Sequence, residues 1–176
     1  MKYLIVSDIH GSSESAKIII DYFNKYNCDM ILCLGDILYH GPRNDLPLFY
    51  EPKKVIQLFN EYADRILCVQ GNCDAEVDQM VLNFKIHKSL DLKLNGFSFH
   101  LEHGHHLDDL HTEAKYVLFG HTHISQIESK SNKIFINPGS ITIPKNNTKR
   151  GFMVLDSDNL IHYDIDGNIL TSLKCH

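Results

Sequence analysis

The stretch "YLIVSDIHGSSESAKIIIDYFNKYNCDMILCLGD", residues 3–36, sets the architecture. It opens on a short apolar run, Tyr3 to Val6, that reads as a buried strand leading into a polar loop. A helix is predicted from about Ser13 to Tyr26, because Ala16, Ile19, Ile20 and Phe23 recur at i, i+3, i+4 and i+7. Ser12 or Ser13 can cap it, and Glu14 in the first turn meets the positive end of the helix dipole. "MILCL" (30–34) is a second apolar strand. Strand, helix, strand in that order predicts a βαβ unit and a parallel sheet.

The same alternation continues outward. A second helix follows Pro52, with Val55, Leu58, Phe59 and Tyr62 on one face, and "ILCV" (66–69) is a third strand. After about residue 85 the helices thin out. "LDLKLNGFSFHLEHG" (90–104) alternates apolar and polar residues around Asn95-Gly96, a strong hairpin signal. "KIFINPGS" (133–140) and "GFMVLDSDNLIHYDIDGNILTSL" (151–173) continue as antiparallel, meander-like sequence. No linker, repeat or low-complexity tract interrupts the chain. The expectation is one domain, residues 1–176, with an α/β fold of two mixed sheets packed face to face, one from each half, and helices outside.

Composition narrows the function. The 176 residues carry 17 Lys+Arg against 22 Asp+Glu, a net charge of -5 that offers no basic footprint for long nucleic acid. Five cysteines without a C-x-x-C pair argue against a disulfide framework and a zinc ribbon, and suit a reducing compartment. With no signal-peptide core and no long apolar run, the reading is a cytoplasmic protein away from membranes.

Polar residues cluster where strands end. Strand one runs into Ser7-Asp8-Ile9-His10-Gly11, strand two into Gly35-Asp36, and strand three into Gly71-Asn72-Cys73-Asp74. Later runs end in His103-Gly104-His105 and, within "VLFGHTHIS" (117–125), in Gly120-His121-Thr122-His123. If the apolar run continues as a strand, the period of two points His121 and His123 the same way. Ligands of open α/β sheets sit beyond the carboxyl ends of the strands, so these groups are expected to meet. Imidazoles with carboxylate and amide oxygens suit Mn²⁺, Fe, Ni²⁺ or Zn²⁺. Asp8, His10, Asp36, Asn72, His103, His121 and His123 exceed what one ion can use. Two ions roughly 3.5–4 Å apart, sharing a carboxylate, would use them all and activate a bridging hydroxide for in-line attack at phosphorus.

In this order, "DIHG", "GD", "GNCD", "HGH" and "GHTH" resemble the calcineurin-like metallophosphoesterases. "GPRN", "GNCDAEVDQM" and "NPGSITIPK" look like the small bacterial YfcE-type phosphodiesterases among them. The resemblance implies a four-layer α/β/β/α sandwich. It also implies that Asp8, His10, Asp36 and His123 hold one ion, with Asp36 bridging and Asn72, His103 and His121 completing the second site. Mn²⁺ is the metal it favours. Asn72, Cys73, Asp74 and Arg43 are the candidate catalytic residues. Arg43 reads equally as a contact to a phosphoryl oxygen or as a surface arginine tied to Asp45 or Glu51. Many relatives carry histidine, the usual leaving-group acid, where Cys73 stands. The thiol reads equally as a small loop residue and as a functional group, and without a strong acid good leaving groups should react best. His40, His105 and His106 are placed near the site or at the surface rather than among the ligands.

The function this predicts is hydrolysis of small phosphodiesters by direct attack of the bridging hydroxide. A phosphomonoesterase and a non-catalytic interaction scaffold of the same fold are the alternatives. "LPLFY" (46–50) is a candidate homo-oligomer contact.

Overall fold

The computed structural model describes Met1–His176. The leading βαβ unit forms as read: β1 (Lys2–Val6), α1 (Ser13–Lys25) and β2 (Met30–Cys33). Ser12 caps α1 by accepting from the Ser15 N–H at 3.3 Å, and Ala16, Ile19, Ile20 and Phe23 are its buried face. Then come α2 (Pro52–Asn60), β3 (Ile66–Val69) and the short β4 (Ile86–His87), with β1 to β4 parallel throughout. The Asn95-Gly96 turn joins β5 (Leu90–Leu94) to β6 (Phe97–Leu101), both turn residues at positive φ (50° and 94°), as a tight primed turn requires. β7 (Tyr116–Leu118), β8 (Gln126–Lys130) and β9 (Lys133–Asn137) follow, and β10 (Gly151–Asp156), β11 (Asn159–Asp164) and β12 (Ile169–Lys174) form a meander.

Two mixed sheets result, seven strands in the order β12-β11-β10-β1-β2-β3-β4 and five in the order β5-β6-β7-β9-β8. The division into one sheet per half is corrected by β10–β12, which join the first sheet. The reason lies in β1, whose second edge would otherwise be an open row of backbone donors and acceptors. β10 closes it antiparallel, Tyr3 opposite Leu155 and Ile5 opposite Met153. Its unbroken run Phe152–Leu155 is buried on both faces, as a central strand demands.

Period two explains both cores. Leu4 and Val6 face α1 and α2, packing with Ile19, Phe23, Val55 and Phe59. Tyr3 and Ile5 face the other sheet, packing with Phe99, Leu101, Tyr116 and Leu118. Each such side chain contributes about 1.5–3 kcal/mol by leaving water. The fourth layer is thin. No α-helix lies beyond the second sheet, and the β6–β7 crossover carries one 3-10 turn, Leu107–Asp109.

Candidate metal centre

β1, β2 and β3 are parallel, as are β6 and β7, so each set ends on one side and the loops that follow are laced together. The N–H of Asp8 donates to the Gly35 carbonyl (3.1 Å), those of Ile9 and His10 to the Asp36 carbonyl (3.0 and 2.9 Å), and that of Gly120 to the His103 carbonyl (2.8 Å). Asp8, His10, Asp36, His121 and His123 all occupy left-handed backbone, φ between 50° and 64°. Such residues each cost roughly 1–3 kcal/mol and persist where surrounding structure fixes them. The strand-alternation reading of His121 and His123 is corrected here. β7 stops at Leu118, and the two rings enter the cluster through successive left-handed turns.

The imidazoles are aimed by their far nitrogens. Nδ1 of His10, His103 and His123 bonds the carbonyls of Tyr39 (2.8 Å), Leu34 (2.6 Å) and Ile143 (2.8 Å). A carbonyl accepts only, so each Nδ1 carries a proton and each Nε2 is turned inward. Nε2 of His10 and His123 are 3.2 Å apart, and lie 3.7 and 3.4 Å from Asp8 Oδ1. Asp36 Oδ2 is 3.7 Å from His10 Nε2 and 3.4 Å from His103 Nε2, between the two groups. Asn72 Oδ1 is 3.2 Å from His103 Nε2 and 2.6 Å from His121 Nδ1. All seven side chains nominated as ligands therefore meet in one cluster.

The donor set fits divalent cations. Both Asp8 carboxylate oxygens are buried with no hydrogen-bond partner, a costly state for an anion unless a cation meets it. Burial, followed by the charge of Asp36, pushes the Asp8 carboxyl up to about 7. His103 is pulled down by burial, but the Asp36 and Asp8 carboxylates outweigh that and raise it to about 9. Asp36 itself, despite burial, is held well below the usual carboxylate range by His103. Burial lowers His121 and His123 to about 4, leaving neutral rings with free lone pairs.

The candidate catalytic residues divide. Asp74 is corrected to a structural strut. Its oxygens accept the N–H groups of Asp36 (2.8 Å), Ile37 (2.8 Å) and Gly71 (2.7 Å), tying two ligand loops together and facing nothing outside. Cys73 donates its backbone N–H to Asp36 Oδ1 (2.8 Å), and its Sγ sits within 4.8 Å of ligand atoms of His10 and Asp36. Burial, then Asp36, pushes its thiol up to about 12. Arg43 pairs with neither Asp45 nor Glu51, the latter engaged with Lys54 and Ser13. It lines a cavity of about 30 Å³ over the cluster with Asn72, Cys73, His121 and His123. His105 and His106 are exposed beside His103 and His121, whereas His40 packs between Tyr39 and Tyr50.

The resemblance marks "NPGS" (137–140) as a loop lining the site, and the structure shows how the segment clamps it. Asn137 Nδ2 donates to the Gly120 carbonyl (2.7 Å), Ser140 Oγ to the Asp8 carbonyl (2.8 Å), and Thr142 Oγ1 to the Ile9 carbonyl (2.8 Å). Buried Asn137 and Ser140 thus fix both histidine-bearing loops from a segment whose Pro-Gly signals only a turn. Lys145 closes the same "NPGSITIPK" stretch, but sequence reasoning gave it no role of its own.

Gly120 permits the closest approach. A Cβ there would overlap Ser7 Oγ and come within 2.9 Å of Asp8 Oδ2. Gly120→Ala is expected to cost about 1–3 kcal/mol and to weaken Mn²⁺ binding by displacing Asp8. Thermal melts and metal titration check this, and unchanged values in both would refute the contact.

A two-sheet sandwich whose loops gather buried carboxylates and carbonyl-oriented imidazoles defines the class, a metal-dependent phosphoesterase. The family model for the calcineurin-like phosphoesterase superfamily domain matches residues 1–160, and the chain belongs to that superfamily. Phosphodiesterase YfcE of Escherichia coli (strain K12) is 38% identical over 163 residues, covering 90% of this chain and 89% of that protein. The solved structure of E. coli YfcE, a phosphoesterase, matches with a TM-score of 0.95 at 35% identity, covering 100% of both chains. Vacuolar protein sorting 29 of Entamoeba histolytica, solved with Zn²⁺, matches with a TM-score of 0.65 at 20% identity over 99% of each chain, a likeness of fold alone.

Proposed function

We propose that this protein is a dinuclear-metal-dependent phosphodiesterase acting on small phosphodiesters. The observation that carries the reading is the doubly unpartnered Asp8 carboxylate, faced by Nε2 of His123 at 3.4 Å and of His10 at 3.7 Å. The name of the E. coli relative, a phosphodiesterase, supports the substrate class. Asp8, His10, Asp36 and His123 would hold one ion, and Asp36, Asn72, His103 and His121 the second. When bound, such ions supply an activated water nucleophile and neutralise charge at phosphorus. Mn²⁺ is the first choice, with Ni²⁺, Fe and Zn²⁺ compatible with the same ligands.

The chain's own groups do the positioning. Asp36, set between the two histidine groups, keeps them in register. Asn72 and Arg43 offer donors at the mouth of the cavity for equatorial phosphoryl oxygens, and Arg43 can do so bidentately. Cys73 supplies no effective acid. The five cysteines are all free, which fits a cytoplasmic location, and no helix is long and apolar enough to cross a membrane. Exposed Leu46, Leu48 and Phe49 suit a contact between copies of the chain.

Metal-stripped protein with Mn²⁺ added back is expected to cleave bis(p-nitrophenyl) phosphate and little p-nitrophenyl phosphate. Preference for the monoester would make it a phosphatase, and inertness with every divalent ion would favour the scaffold reading. Mn²⁺ affinity is expected to rise with pH, because Asp8 (about 7) and His103 (about 9) must shed protons before they can ligate.

A further inference from the structure

The cavity over the cluster is about 30 Å³. It adjoins a groove of about 540 Å³, and Arg43, Asn44 and Lys145 line both. An ester arm leaving the cluster in this direction must pass them.

The charges there are unbalanced. Arg150, deeper in the groove, is engaged with Glu14 (2.9 Å), Ser15 Oγ (3.0 Å) and the Ile141 carbonyl (2.7 Å), so this cation and this acid cancel. Arg43 and Lys145 form no ion pair, and the one unpaired acid is Asp45, exposed at the rim. Lys145 is exposed, with its backbone pinned to the histidine loop. Its N–H donates to the His123 carbonyl (3.1 Å), and Thr148 Oγ1 donates back to the Lys145 carbonyl (2.8 Å). The wall beyond it, Ile143 and Pro144, gives a small organic arm an apolar surface.

We infer that the groove is a subsite for one arm of the substrate, and that Lys145, beside Arg43, selects an arm bearing a second anionic group, a carboxylate or phosphate. The inference rests on the phosphodiesterase reading and sharpens its substrate class. The charge of a simple diester is already met at the cluster. An extra cation held beside it gains most when a second anion arrives.

Three p-nitrophenyl phosphodiesters test this, sharing one leaving group and differing in the other arm: ethyl, 2-carboxyethyl and choline. The expected order of kcat/KM is carboxyethyl, ethyl, choline. The carboxylate should gain about tenfold over ethyl, the worth of one charge-assisted contact. Lys145→Gln should shrink that ratio to near one. Equal losses on all three substrates in Lys145→Gln would overturn the subsite and assign Lys145 to the reacting phosphoryl group. Equal rates in the wild type, or a preference for choline, would overturn it as well. Calorimetric titration of 2-carboxyethyl phosphate against ethyl phosphate reads the same preference without turnover. Tighter binding of the carboxylate, lost in Lys145→Gln, would uphold the subsite even if all three diesters were inert and the phosphodiesterase reading fell. Equal binding would reject it.

Discussion

Replacing Asp36 by Asn is expected to lower diester turnover by about a thousandfold or more while the fold survives. The expected loss follows from position: Asp36 Oδ2 is 3.7 Å from His10 Nε2 and 3.4 Å from His103 Nε2, so one substitution weakens both candidate ion sites. Charge stabilisation by bound metal is worth several kcal/mol, and each 1.36 kcal/mol is about tenfold in rate. Structural survival follows from the other oxygen. Asp36 Oδ1 accepts the Cys73 N–H at 2.8 Å, which an asparagine Oδ1 accepts equally well. The two N–H bonds that tie this loop to Asp74, from Asp36 and Ile37, do not involve the Asp36 side chain. Circular dichroism of the metal-free variant should match the wild type, and its melting temperature should fall modestly because the Asp36–His103 pair is lost. The stabilisation conferred by added Mn²⁺ should shrink, because ligand binding raises stability in proportion to occupancy of the native state. Retention of most activity would sink the two-metal reading.

Legibility from sequence followed locality. The leading βαβ unit could be read because Ala16, Ile19, Ile20 and Phe23 state a period within eight residues, and the Asn95-Gly96 hairpin because its turn chemistry is local. All seven candidate ligands were found because each follows an apolar run, usually beside a glycine. Non-local pairing was not legible: that β10 would close the free edge of β1, across some 150 residues, is written in no short pattern. Nor was the route by which His121 and His123 converge, since left-handed backbone at five non-glycine positions is imposed by tertiary contacts. Asp74 was misread for a related reason. "GNCD" places it among chemical groups, but only the fold shows both its oxygens turned inward onto backbone donors.

Cys73→His is expected to accelerate diesters with poor leaving groups by about 10²–10⁴-fold. An alkoxide departs only if a proton reaches it, whereas p-nitrophenolate leaves unassisted. The thiol is a poor donor here, pushed up to about 12 by burial first and by Asp36 next. Bound divalent ions would relieve the carboxylate contribution, but the burial remains. An imidazole titrating near 6.5 would be a competent acid at neutral pH. Cys73 lines the cavity over the cluster together with His121 and His123, so a histidine there would border the space an ester would enter. Its link to Asp36 runs through the backbone N–H and is independent of the side chain. Gly41 sets the limit on size, because even a Cβ there would come within 2.9 Å of the Cys73 sulfur, so the loop must yield slightly to an imidazole. The wild type should show a steep fall of kcat/KM as the leaving phenol becomes less acidic, and the histidine variant a shallow one. Cys73→Ala separates the two roles of the thiol. A slope unchanged from wild type means the sulfur donates no proton, whereas a steeper slope in the alanine variant would show that it does, and that burial has not silenced it.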